Sequence, residues 1–150
     1  MKAKTFSLPD QDGNIISLKD FKGKYLVLYF YPKDATSGCT IEAIDFTSLK
    51  DEFTKLNAKI VGVSPDSKES HCKFIQKENL RITLLADTEK KILEKYEVYK
   101  EKSMYGRKYM GVIRTTLLID KEQNIVKRWD RVRVKDHAKE VLETLKENHS

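Results

Sequence analysis

A chain of 150 residues, 39% hydrophobic and 35% charged, is long enough to bury one ordinary core and too apolar to be a disordered tail. No run approaches the roughly 20 consecutive apolar residues of a membrane span, and Met1-Lys2-Ala3-Lys4-Thr5-Phe6 lacks the apolar stretch and cleavage site of a secretory signal, so a cytoplasmic location is expected. The formal charge of +6 is spread along the chain; its densest basic group (Lys127, Arg128, Arg131, Arg133 and Lys135) has no zinc-finger spacing, RNA-binding signature or Gly-rich phosphate loop beside it and reads as solvated surface rather than a nucleic-acid site.

Leu8-Pro9-Asp10-Gln11-Asp12-Gly13-Asn14 is rich in turn formers, and Ile15-Ile16-Ser17-Leu18 after it reads as a short strand. Tyr25 to Tyr31 is an unbroken apolar and aromatic run ended by Pro32, which predicts a strand covered on both faces at the centre of an α/β sheet. Beyond the loop from Lys33 to Gly38, Ile41, Ile44, Leu49, Phe53 and Leu56 recur at near-helical spacing, with Glu42, Asp45, Lys50, Asp51 and Lys55 largely between them. That pattern predicts an amphipathic helix of about four turns. Lys59 to Ser64 reads as the next strand, and Ser67 is a candidate cap for a helix that runs to about Asn79 and carries Cys72.

Leu84-Leu85-Ala86 reads as a short strand, Glu89 to Tyr96 as a short helix, and residues 100 to 112 as a long loop. Arg114 to Asp120 is a strand that turns at Lys121 to Asn124 into an antiparallel partner, Ile125 to Trp129. Val134, Ala138, Val141, Leu142 and Leu145 mark a final helix. There is no internal repeat, linker or low-complexity segment. The order predicts a single domain over residues 1–150 with a thioredoxin-like α/β fold, a central mixed sheet flanked by helices.

The chain has two cysteines, Cys39 and Cys72, and no Cys-x-x-Cys, so neither a zinc ribbon nor a thioredoxin-type dithiol can be drawn; no metal or cofactor is expected. In a reducing compartment a reactive thiol is more plausible than a structural disulfide. Cys39 falls where a buried strand hands over to a helix, the end of an open α/β sheet at which sites are placed. Unpaired N–H groups and the positive end of the helix dipole there favour a negative sulfur, the nucleophilic form. On position alone, a small buried hydrophobe remains the other reading.

Nearby residues also have two readings each. Thr36 is a cap, or a hydroxyl that bonds sulfur and substrate; Pro32 ends a strand, or shields the sulfur from water. Glu42 is an exposed first-turn Glu favoured by the dipole, or the partner of a cation, and Arg114 by itself is a surface Arg at a strand edge.

Pro32-x-x-x-Thr36-x-x-Cys39 resembles the active-site pattern of the peroxiredoxins, and the run from Tyr31 to Ala43 is similar to that of the bacterioferritin comigratory protein, or peroxiredoxin Q, branch. Phe6 to Gly13, Val61 to Ser67 and Gly111 to Asp120 resemble the same branch in order, so the likeness covers almost the whole chain. It implies a thiol peroxidase acting on hydrogen peroxide and organic hydroperoxides. Cys39 would attack the peroxide and become a sulfenic acid, Thr36 and Arg114 would stabilise the moving charge, Glu42 would orient Arg114, and thioredoxin would be the reductant.

Two positions depart from the branch. Ser37 stands where Pro is common, which loosens the loop and removes no reacting group. Ile44 stands where many members carry a resolving cysteine, so that route is closed. Cys72 lies in the helix where other members place this thiol, and the resemblance implies an intramolecular Cys39–Cys72 disulfide. The alternatives are a one-cysteine enzyme resolved by an external thiol, and a non-enzymatic redox sensor or holdase. A disulfide oxidoreductase is disfavoured by the absent Cys-x-x-Cys. No cysteine follows Cys72, so a monomer is expected.

Overall fold

An apolar strand such as Tyr25–Phe30 needs cover on both faces, and two layers supply it. The computed structural model describes residues 1–149. Its elements begin with β1 (Ser7–Pro9), β2 (Ile15–Ser17), β3 (Tyr25–Phe30), α1 (Ser37–Ser48), α2 (Lys50–Lys55) and β4 (Ala58–Ser64). They continue with α3 (Lys68–Glu78), β5 (Thr83–Ala86), α4 (Lys91–Lys95), β6 (Tyr99–Met104) and β7 (Arg107–Val112). The chain closes with β8 (Thr115–Ile119), β9 (Ile125–Asp130) and α5 (His137–His149).

The central sheet has five strands in the order β5-β4-β3-β8-β9. β3, β4 and β5 run parallel, and β8 and β9 are antiparallel, giving the expected mixed sheet. Alternation along β3 sorts its side chains. Tyr25, Val27, Tyr29 and Tyr31 enter one core with Phe46, Phe53, Phe74, Val141, Leu142 and Leu145 from the helices. Leu26, Leu28 and Phe30 enter the other with Phe6, Leu8, Leu93, Tyr96 and Val98. The register sets Phe30 opposite both Val63 and Thr115, so the C-terminal ends of β3 and β4 meet the start of β8 at one edge.

Several sequence expectations need correction. The single four-turn helix is two, parted at Leu49 (φ −99°, ψ 3°) after Ser48, whose hydroxyl bonds back to the Asp45 carbonyl and so competes with the helical ladder. The buried face of α1 is Cys39, Glu42, Ala43 and Phe46; Ile41 and Ile44 are exposed. The apolar positions picked out the wrong stripe because one member of the true stripe is a carboxylate. The long loop at 100–112 is the β6–β7 hairpin, turned at Tyr105 (φ 53°) and Gly106 (φ 77°), both left-handed as a tight two-residue hairpin turn requires. Tyr in place of the usual Asn or Asp hides that signal. Leu8-Pro9 belongs to strand β1 rather than a turn, Arg114 lies just ahead of its strand, and Val134 precedes the final helix. Ser67 caps α3 as expected, accepting from the Ser70 N–H at 3.1 Å.

The Tyr29 ring fits because position 62 has no side chain: a Cβ there would lie 2.7 Å from Tyr29 Cζ and 2.9 Å from Leu84 Cδ2. Gly62→Ala is therefore expected to cost about 2 kcal/mol by overpacking, read from the shift in a urea unfolding midpoint. A loss within experimental error would contradict this placement of the ring.

Candidate active site

The strand edge described above sets the chemistry. The loop after β3 delivers Cys39 to the first turn of α1, and the antiparallel register of β3 with β8 brings up Arg114, the residue just ahead of β8. Cys39 is 1% exposed, and Arg114 Nη2 lies 3.4 Å from its Sγ. Arg114 Nη1 donates to Glu42 Oε1 at 2.7 Å. Glu42 is also 1% exposed, one turn after Cys39 on the same buried face, so the reading of an exposed first-turn Glu does not hold. Nor does that of Arg114 as a surface Arg: its side chain is 17% exposed and spans Cys39 and Glu42.

Burial raises Glu42 to about 7 against the pull of Arg114, so this carboxyl changes charge near neutrality. Burial works against the charge on Arg114, but Glu42 and Cys39 outweigh it and hold the guanidinium more firmly protonated. The second carboxylate oxygen of Glu42 has no protein partner among the described residues. Below it, burial lifts the Tyr29 hydroxyl well above its ordinary range, with the nearby charges of Glu42 and Cys39 adding to the effect.

Thr36 is exposed at the N-cap of α1. Its hydroxyl donates to the Lys33 carbonyl at 2.8 Å and accepts from no helix N–H, which leaves its lone pairs as acceptors. Pro32 is half-buried. Pro32, Thr36, Gly38 and Arg114 form one wall of a cavity of about 490 Å³. The β6–β7 hairpin lines the same cavity with Tyr99, Lys102, Tyr109, Met110 and Val112. A segment read from the sequence as a loop thus builds half of the cavity, and only the strand pairing reveals it. Gly38 has no spare room either, since a Cβ there would stand 3.1 Å from Arg114 Nη2.

Cys72 is half-buried on α3, with the Gln76 amide 3.5 Å from its sulfur. Both cysteines are free thiols. A second group of residues was not singled out from the sequence. Asp34, in the loop before Cys39, is tied by its carboxylate to Tyr31, Ser70 and His71. Asp34, Asp66 and His71 have donor atoms within 4.8 Å of one another, but both ring nitrogens of His71 are already engaged, Nδ1 with Asp34 and Nε2 with the Leu85 carbonyl. Asp34 and His71 are ordinary polar residues in the sequence, and only their burial marks them. Among the described residues, no helix is long and apolar enough to cross a membrane.

Residues 1–128 match the AhpC/TSA family. Peroxiredoxin Bcp of Bacillus subtilis is 51% identical over 146 residues, 97% of this chain and 93% of that protein. The bacterioferritin comigratory protein of Xanthomonas campestris, whose structures concern its alkyl peroxide reduction activity, superposes with a TM-score of 0.92 at 40% identity, covering 97% of this chain and 92% of that one. A cysteine-to-serine mutant of PrxQ from Xylella fastidiosa superposes with a TM-score of 0.93 at 35% identity, over 100% of this chain and 98% of that one. A buried cysteine held by arginine at a helix start, in a chain with these relatives, leaves one assignment: the chain belongs to the AhpC/TSA family, among its Bcp/PrxQ peroxiredoxins, which are thiol peroxidases.

Proposed function

We propose that Cys39 is the attacking sulfur, that Arg114 and Thr36 hold the peroxide against it, and that Cys72 completes the cycle. The observation that carries this reading is the single guanidinium shared between Cys39 Sγ at 3.4 Å and buried Glu42 at 2.7 Å. A permanently charged group fixed in this way faces both the sulfur and the oxygen on which charge grows, at no cost of reorganisation during reaction. Thr36 offers an acceptor to the peroxide O–H, and Pro32 keeps bulk water from the sulfur.

In the first step the Cys39 thiolate forms an S–O bond to the terminal peroxide oxygen. The O–O bond breaks, the leaving oxygen takes a proton and departs as water or alcohol, and Cys39 becomes a sulfenic acid. The Cys72 thiol then attacks that sulfur, a disulfide forms and water leaves. A dithiol reductant, thioredoxin, restores both thiols by exchange. The two cysteines sit on different helices, and a disulfide needs Cα atoms within about 7 Å, so part of α1 or α3 unwinds between the steps.

The aromatic and apolar wall of Tyr99, Tyr109, Met110 and Val112 suits the organic part of an alkyl hydroperoxide. The alkyl peroxide reduction activity of the Xanthomonas relative supports that preference. A cytoplasmic monomer remains the expected form.

Cys39→Ser is expected to abolish hydroperoxide turnover in a thioredoxin-coupled assay, and full activity in that variant would refute the assignment. Arg114→Ala is expected to slow sulfenic acid formation by about a hundredfold or more. After one equivalent of peroxide, non-reducing mass spectrometry should find Cys39 joined to Cys72. A persistent sulfenic acid would instead favour resolution by an external thiol.

Glu42 also leaves a signature in stability. Its pKa is raised from an ordinary 4.5 to about 7 in the fold, so between those values the folded state keeps a proton that the unfolded chain has lost. Stability is therefore lost as pH rises through that window, by about 3 kcal/mol at most. Denaturant midpoints from pH 4.5 to 7 should fall more steeply for the wild type than for Glu42→Gln, and parallel curves would rule this out.

A further inference from the structure

The Asp34 hub joins the loop that leads to Cys39 to the helix that carries Cys72. Asp34 Oδ1 accepts from the Tyr31 hydroxyl at 2.6 Å, and Oδ2 meets the Ser70 hydroxyl and His71 Nδ1, both at 2.7 Å. The Asp34 N–H donates to Asp66 Oδ2 at 2.8 Å, and the same oxygen accepts from buried Ser64 at 2.7 Å. His71 is 0% exposed and is fastened to β5 through the Leu85 carbonyl at 3.0 Å. The ring therefore faces an oxygen on each side.

The chain position of these residues matters more than their number. His71 is the neighbour of Cys72, and Asp34 opens the segment that leads through Thr36 to Cys39. Ala35, directly after Asp34, is held at φ 63°, a left-handed conformation disfavoured for a residue with a Cβ. A strained residue beside a saturated buried hub describes a loop kept in place from outside. It would relax once the hub opened.

We propose that Asp34 and His71 form a latch, a pair of positioning residues that hold the Thr36–Cys39 loop ready for peroxide and must part before Cys39 reaches Cys72. The inference rests, for its second half, on the reading of Cys72 as the resolving thiol. The latch opposes resolution while it favours attack. Weakening it slows the first step and speeds the second, a pair of opposite shifts that general structural damage does not produce.

Two variants test this. His71→Gln removes the ring contact, and Ser70→Ala removes one hydroxyl from Asp34 at a half-buried helical position where Ala is well tolerated, so it decides the matter if the first variant fails to fold. Hydrogen peroxide is the probe, with acid quenching, dimedone capture of sulfenic acid and intact-mass analysis. In a Cys72→Ser background, sulfenic acid formation should slow about tenfold for His71→Gln and about threefold for Ser70→Ala. With both cysteines present, conversion of sulfenic acid to disulfide should quicken by similar factors, and less sulfinic acid should accumulate at excess peroxide.

Unchanged rates in both backgrounds, or two steps slowed together, would overturn the latch. If the wild-type chain forms no Cys39–Cys72 disulfide, the resolving role of Cys72 falls, and the release half of the proposal with it. The holding half is still decided by the Cys72→Ser pair.

Discussion

Glu42 faces inward. A carboxylate 1% exposed beside the Cys39 sulfur is costly to desolvate, and it stays there because Arg114, 72 residues further along the chain, meets it at 2.7 Å. Most of the site depends on that meeting. The pair sets the rotation of α1, so that Cys39, Ala43 and Phe46 turn toward the sheet and the Phe46 ring stacks on Tyr29 with centroids 4.9 Å apart. It also brings a guanidinium nitrogen to the sulfur itself. An ion pair of this kind is weak evidence for stability, because replacing both partners by apolar side chains often costs nothing. Its value here is geometric: an uncompensated carboxylate would be expelled, and Cys39 would turn away with it.

Around this pair the fold divides its polar groups unevenly. The Asp34 hub, with Tyr31, Ser70 and His71, is saturated with hydrogen bonds, as buried networks must be if they are to favour one structure. The side nearer Cys39 is less complete. Glu42 Oε2 and the Tyr29 hydroxyl are buried without partners among the described residues, under the first turns of α1. An unpaired buried polar group costs about 1–3 kcal/mol. The segment from Asp34 to Glu42 thus begins at a fully bonded hub and ends at an incompletely paired carboxyl, and Ala35, at φ 63°, directly follows the hub.

Much of the fold was legible in the sequence because its strongest signals are local. Seven apolar residues ended by Pro32 can hardly be other than a central strand, and Arg114 to Asp120 was read within a residue of β8. Cys39, Thr36, Pro32 and Arg114 were singled out by a motif whose members lie close together or on a marked strand. The face of α1 was not legible, since Ile41 and Ile44 outweigh Glu42 on any hydrophobic scale, and only an arginine distant in sequence reverses the preference. The β6–β7 hairpin was hidden because its strands are largely exposed and its turn uses Tyr105, a residue rarely found at positive φ.

The residues alone determined the order of the five central strands and the placing of one cysteine where a buried strand becomes a helix, because hydrophobic period and turn chemistry act over a few neighbours. The resemblance to a family added the roles proposed for Cys39 and Arg114. Only the tertiary structure decided which stripe of α1 is buried, that a hairpin lines the cavity, and that Asp34 and His71 tie the Cys39 loop to the Cys72 helix. Each of these joins residues tens of positions apart, through burial that makes a charge or a polar group demand a partner, and no local pattern records where that partner is.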